Sequence, residues 1–457
     1  MSDRAIPVAE TTPWGNGAQV VTATRRVFPL ATVRLSFRGG ATSDPDGKEG
    51  LSAITIRMLE RGTKTRSREK IADELETLGA TLGLSAGHDT VQIATTALSR
   101  NLDHVFSILA DVILAPTFPE DELEKLRAEM ISELALIREE DQGIGDGFFR
   151  RAIYGTSPYG HIVEGTELSL ASITRDEIVA RWKQVAGSAD LIVAAAGDLD
   201  ATRLQTLLDS HLRALPAGQR RPPPSTTSRT LSGVEVLLVD KPDRSQTQIF
   251  LGRTAIPALS PDFLPFLVAN HGFGGMFTGR LMQEVRVKRG WSYGASSRLE
   301  MNRGDGVTGL WTFPSNGDTI ACVRLLLDLY SGFKETGITA DELAAAKGHL
   351  LNMLAFEVET PEQVVARRVS ELLLGLPDDW SQRWVDGIQS TTLERANEAA
   401  ARVVRTDALA LTIVCTADPF VRELAALPEI RRIDVVAFDT DRPDEWKRVH
   451  ERSRGTP

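Results

Sequence analysis

The chain has 457 residues, 42% hydrophobic and 25% charged, with a formal net charge of −10. That length exceeds what a single core serves, so two or more domains are expected. The acidic balance argues against a nucleic-acid binder, which would carry a basic stripe, and gives no hint of attraction to an anionic membrane.

The segment Met1–Pro7 has no apolar core of signal-peptide length. The most apolar run of the chain, Leu191–Ala196, is far too short to cross a bilayer. The expected location is therefore the cytoplasm, with no membrane insertion.

A strand pair is expected at Gln19–Thr24 and Thr32–Phe37. Glu49–Thr63 reads as a helix, with Gly62 placed to take the left-handed conformation at its end. Within it Ala53, Ile56 and Arg57 stand at i, i+3 and i+4 and share one face. A long helix follows from Pro119 and carries Glu133. An apolar strand from Asp190 to Ala194 closes this half.

Composition then changes. Residues 215–233 read L-P-A-G-Q-R-R-P-P-P-S-T-T-S-R-T-L-S-G, and three consecutive prolines favour an extended, semi-rigid linker. Beyond it the same plan recurs: a strand pair at Val234–Asp240 and Gln246–Gly252, a long helix from Thr339, and a closing strand at Ala408–Val414. Asp121 and Asp341 each sit near a helix start, where the dipole favours negative charge. Three features in one order imply a duplicated unit. The expected fold is α+β: two homologous domains, each a mainly antiparallel sheet with helices on one face. Their bounds are 1–214 and 234–457, with the Pro-rich linker at 215–233. The charged stretch Phe438–Arg448 is expected as a surface tail.

Candidate chemistry is sparse. Cys322 and Cys415 lie in apolar, strand-like surroundings and read as buried free thiols. None of the seven histidines is spaced with another as a helical or strand ligand pair, so a zinc site of this chain's own is not expected. No G-x-S-x-G elbow is present. Residues 271–294, H-G-F-G-G-M-F-T-G-R-L-M-Q-E-V-R-V-K-R-G-W-S-Y-G, read as a Gly-rich loop, a helix, a glycine stop and a strand. The loop lacks the spacing of a phosphate-binding motif. Arg286 offers planar donors, and the hydroxyl of Tyr293 can donate to an oxygen that gains negative charge.

Two of these frames carry a resemblance. G-L-S-x-x-x-x-x-M-L-x-R-G-T resembles the metal helix of the insulinase-like (pitrilysin) zinc peptidases, and residues 281–293 resemble that family's second-domain signature, L-x-x-x-x-R-x-x-x-G-x-x-Y. The likeness extends from Thr32 through residues 158–168 to about Val414. In that family the helix carries H-x-x-E-H: two histidines bind zinc and the glutamate is the general base. Ala53, Ile56 and Arg57 occupy those positions here, and Glu133 stands where the resemblance places the third ligand. The resemblance thus implies a degenerate metal site that holds no metal. Glu133 would be either solvated or paired with Arg57. Arg286 and Tyr293 match the pair that contacts peptide across the chamber from the zinc.

The implied function is that of a non-catalytic, substrate-binding subunit. Zinc would lie in a homologous H-x-x-E-H partner, and a peptide or unfolded polypeptide would add as a strand to the partner's sheet. The rival readings are a scaffold within a larger complex and a peptide presenter in precursor maturation. An intact Arg/Tyr pair argues against a scaffold.

Overall fold

The structure, a computed structural model, describes residues 7–224, 228–442 and 445–452. Parts of the expected N-terminus, linker and tail (residues 1–6, 225–227, 443–444) lie outside the described residues. The chain forms two compact units. Unit 1 comprises residues 1–134, 161–224 and 354–378; unit 2 comprises 135–160, 225–353 and 379–457.

Unit 1 is built on β1 (Glu10–Trp14), β2 (Ala18–Thr24), β3 (Leu30–Arg38), β4 (Thr81–Ala86), β5 (Thr90–Leu98) and β6 (Leu191–Gly197), in the order β1-β2-β6-β3-β5-β4. Unit 2 is built on β7 (Gly233–Asp240), β8 (Gln248–Thr254), β9 (Ala295–Glu300), β10 (Val307–Thr312), β11 (Ala408–Cys415), β12 (Ile430–Ala437) and β13 (Lys447–Glu451), in the order β13-β12-β7-β11-β8-β10-β9. Five strands correspond one to one. In each sheet the closing strand, β6 or β11, lies parallel to the first strand and antiparallel to the second. The two strands expected to pair are therefore not neighbours: the closing strand inserts between them. Hydrophobic patterning marks where the strands are, and the non-local insertion leaves no trace in the local sequence. The fold is the expected two-domain α+β, with mixed sheets.

The insertion explains the apolar runs. β6 is central and buried along its whole length. Leu191, Val193 and Ala195 face the main core of unit 1, while Ile192, Ala194 and Ala196 face a second layer. A strand covered on both faces loses the alternation of a half-exposed strand. Leu409, Leu411 and Ile413 in β11 divide from Ala410 and Val414 in the same way.

The second layer comes from the opposite half of the chain in each unit. In unit 1 the helix Pro361–Leu374 lays Val364, Val365, Val369 and Leu372 on Val21 and Ile192. Its ends are locally specified by a Thr360–Gln363 capping box, Pro361 in the first turn and a left-handed Gly375. In unit 2 the helix Asp141–Tyr154 places Phe148 and Phe149 on Leu237, Val239 and Phe250. A Cβ at Gly145 would collide with the Phe250 ring, so glycine sets how closely helix and sheet approach. The packed units thus exchange one helix each, whereas the sequence bounds follow chain order.

The described residues of 215–232 form neither helix nor strand, and hydrogen bonds hold both ends. Ser188 and Ala189 donate backbone hydrogen bonds to Pro216 and Ala217 in unit 1, and Ser228 donates to Asp305 in unit 2. The described residues of the expected surface tail are exposed or half-buried, and its last two begin β13 (Lys447–Glu451), an edge strand on β12. Buried Asp434 of β12 pairs with Arg432 at 2.5 Å and with Arg448 of β13 at 3.4 Å. Among the described residues no helix is long and apolar enough to cross a membrane.

Candidate functional site

The helix expected at Glu49–Thr63 begins at Leu51, after left-handed Gly50, runs to Arg57 and tightens into a 3-10 turn, Met58–Arg61. Gly62 does not cap it in the left-handed helical well. It is extended at positive φ (140°), and its carbonyl accepts from Thr117. The helix start is held by buried Asp44, which accepts from the backbone N–H and the hydroxyl of Ser52. Arg181 ties that hydroxyl to the carbonyls of Gly39 and Gly40. Burial lowers Arg181 to about 10 and raises Asp44.

This rigid mounting presents Ala53, Ile56 and Arg57 in unit 1. Ala53 and Ile56 are buried in the core and offer no ligand atom. Arg57 points across to the helix Glu120–Ile137 and forms a two-pronged ion pair with Glu133, at 2.6 and 2.8 Å. Those bonds raise Arg57 and hold Glu133 below the usual carboxylate range. One turn away Arg61 makes the same fork with Glu129, at 3.1 and 2.5 Å. Arg57/Arg61 and Glu133/Glu129 thus form two rungs between two helices. The donor set does not fit zinc: a guanidinium fills the carboxylate's coordination directions, and the other two positions are hydrocarbon. The second rung escaped the sequence reading, although its signal was there. Arg61 follows Arg57 by four residues and Glu129 precedes Glu133 by four, so each pair shares a helix face.

In unit 2 the stretch read as a Gly-rich loop is helical as far as Gly275, and residues 276–279 form a turn. His271–Gly275 continues the helix Phe263–Asn270 as a π-turn. Its glycines serve packing: a Cβ at Gly274 would come within 2.8 Å of Ser297, and one at Gly275 within 2.5 Å of His271. Phe273 stacks on Phe333 in the core at 4.4 Å. A short helical segment, Arg280–Val287, then carries Arg286, and Gly290 at φ 67° ends it. Tyr293 sits in a bend before β9 rather than at the strand's start. The bend is clamped on both sides. Buried Ser292 donates to the Gly294 carbonyl at 2.8 Å, and Gly294 abuts Phe313 too closely for a side chain.

Tyr293 is consequently held outward, 79% exposed; Phe277 at 66% and Val287 at 63% are also exposed in residues 277–293. The Arg286 guanidinium lies 4.7 Å from the Phe277 ring centre. Among the described residues, Arg286 has no carboxylate partner and the Tyr293 hydroxyl makes no hydrogen bond. Phe277 was not singled out from sequence, and only its place nine residues before Arg286 marked it.

Other candidates are inert. Both cysteines are buried and free, and burial pushes Cys322 up to about 12 and Cys415 upward as well. His271 and His349 meet at 2.8 Å although 78 residues separate them, a contact that spacing could not reveal. Burial and its neighbour lower His271 to about 4, so it is neutral near pH 7.

A duplicated α+β fold with this metal-helix frame and this second-unit motif defines an insulinase-type peptidase architecture. Residues 19–167 match the family described as insulinase (peptidase family M16), and residues 172–350 match the peptidase M16 inactive domain. The chain belongs to the M16 peptidase family, and with its metal positions replaced it is a non-catalytic member. A Helicobacter pylori protein named non-peptidase homolog YmxG is 24% identical over 83% of this chain and 87% of its own. An uncharacterized zinc protease, YmxG of Bacillus subtilis, is 21% identical over 87% and 96%. Among solved structures, a peptidase M16 inactive domain from Pseudomonas fluorescens superposes with a TM-score of 0.81 at 24% identity, covering 89% of this chain and 98% of that one. A Helicobacter pylori protease structure gives 0.78 at 16% identity, covering 90% and 100%.

Proposed function

We propose that this chain is the substrate-binding subunit of a two-chain peptidase, working beside a homologous subunit whose H-x-x-E-H helix holds the zinc. One observation carries this reading. Arg57 and Glu133 satisfy each other, whereas Tyr293 is 79% exposed with an unbonded hydroxyl and Arg286 meets the Phe277 ring but no carboxylate among the described residues. Exposing a tyrosine ring to this degree gives up the apolar burial that normally holds it, which is expected of a contact surface.

In the assembled enzyme the Arg286 guanidinium would bind backbone carbonyls or a carboxylate of the peptide. The Tyr293 hydroxyl would donate to the scissile carbonyl oxygen as charge grows on it. Hydrolysis itself would belong to the partner. The name of the Helicobacter pylori relative, a non-peptidase homolog, agrees with a chain that hydrolyses nothing alone.

The test is reconstitution. The purified chain, an H-x-x-E-H homologue and their mixture are assayed on a peptide library. Activity confined to the mixture is expected. A homologue as active alone as in the mixture would refute the proposal.

A further inference from the structure

Unit 1 holds a partly open cavity of about 620 Å³, lined by none of the residues assigned a role in peptide contact. It lies between the end of the helix Leu102–Leu114, the turn after it, the helix Arg175–Val185 and residues 214–216. Its size falls within the range of small-molecule sites. Ile113, Phe118, Val179, Trp182 and Leu215 give it an apolar lining. The Trp182 indole N–H is already spent on the Ile113 carbonyl at 2.9 Å, so the ring offers hydrocarbon to the cavity.

The polar contribution has one sign. Lys64, Arg175 and Lys183 line the cavity, and no aspartate or glutamate does. Lys64 and Lys183 are exposed, and among the described residues neither is paired with a carboxylate. Arg175 is fixed by donating to the carbonyls of Phe118 at 2.7 Å and Thr117 at 2.9 Å, through Nε and Nη2. Its Nη1 makes no such bond among the described residues. Phe118, buried at 4%, is held at φ 49°, a left-handed conformation that a bulky residue rarely adopts and that concentrates at ligand sites.

We propose that this cavity binds an amphipathic carboxylate of the fatty-acid type. Its chain would lie on Trp182 and Phe118, and its headgroup would face the three cations. Charge complementarity selects this class: three cations and no carboxylate stand beside an apolar lining, which suits an anionic head on a hydrocarbon chain.

Titration calorimetry of the full chain with dodecanoate, held below its aggregation threshold, tests the assignment. Saturable one-to-one binding is expected, about tenfold tighter than for dodecanol. Lys64→Ala/Lys183→Ala should weaken dodecanoate by about tenfold while leaving dodecanol unchanged. Ala186→Trp, which adds bulk at the part-buried lining without removing core contacts, should abolish binding of both. No saturable binding, or equal affinity in the wild type and the lysine variant, would overturn the proposal. The lysine variant decides the matter even if Ala186→Trp does not fold.

Discussion

Two regions of this chain answer the same question in opposite ways. In unit 1 the helix face that would hold a metal has turned its polar groups on each other, with Arg57 forked onto Glu133 and Arg61 onto Glu129. In unit 2 the clamped bend and the helix before it leave Tyr293, Phe277 and Arg286 facing outward. In a site that keeps no ligand the charged groups are free to pair with each other, although at Glu133, about half exposed, that pairing is worth little. A site that still meets a ligand must keep its donors free. On the proposed function, internal satisfaction would separate a retired surface from a working one.

The largest expected effect comes from reversing the retirement. Ala53→His/Ile56→Glu/Arg57→His frees Glu133 and restores three ligands and a base on the same mounting. It should bind one zinc ion at about micromolar affinity or tighter, where the wild type binds none after dialysis. Metal analysis and calorimetry measure this, and no gain of zinc would mean that the helix register has been misassigned. A smaller effect is expected at the open site. Phe277→Ala should weaken peptide binding by the reconstituted pair about two- to fivefold, the scale of an exposed cation–π contact.

Acid should act on the two regions differently. His271 is lowered to about 4 from its ordinary 6.5, so the unfolded chain takes up the proton first and stability falls as pH drops from 6.5 toward 4. Glu133 is held below its ordinary 4.5, so its contribution is complete above that value and fades only as acid protonates it. Hydrogen exchange at pH 7 and pH 5 should therefore show loss of protection in residues 263–287 before residues 51–61. The smallest effect is Arg57→Ala alone. With Glu133 about half exposed, the pair is worth less than about 1 kcal/mol in urea unfolding.

What could be read from the sequence, and what could not, follows interaction range. The α+β duplication was legible because strands and long helices are local patterns, and so were the frames around Ala53 and Arg286. The strand insertion, the helix exchange and the His271–His349 contact were not, because each joins residues far apart in the chain; β13 pairs with the preceding strand and was hidden by its charged composition. Gly62, Gly274 and Gly275 show a finer limit. A glycine announces that a side chain would not fit, but not whether a turn, a helix end or a neighbouring ring is the reason.

The most direct measurement is the peptidase rate of an H-x-x-E-H homologue mixed with wild-type chain or with its Arg286→Ala/Tyr293→Ala variant. Complex formation is followed in parallel by size-exclusion chromatography. The account predicts that the variant assembles normally but lowers the rate by about 10²-fold, the scale of losing a transition-state donor. An assembled variant complex with undiminished activity would contradict it.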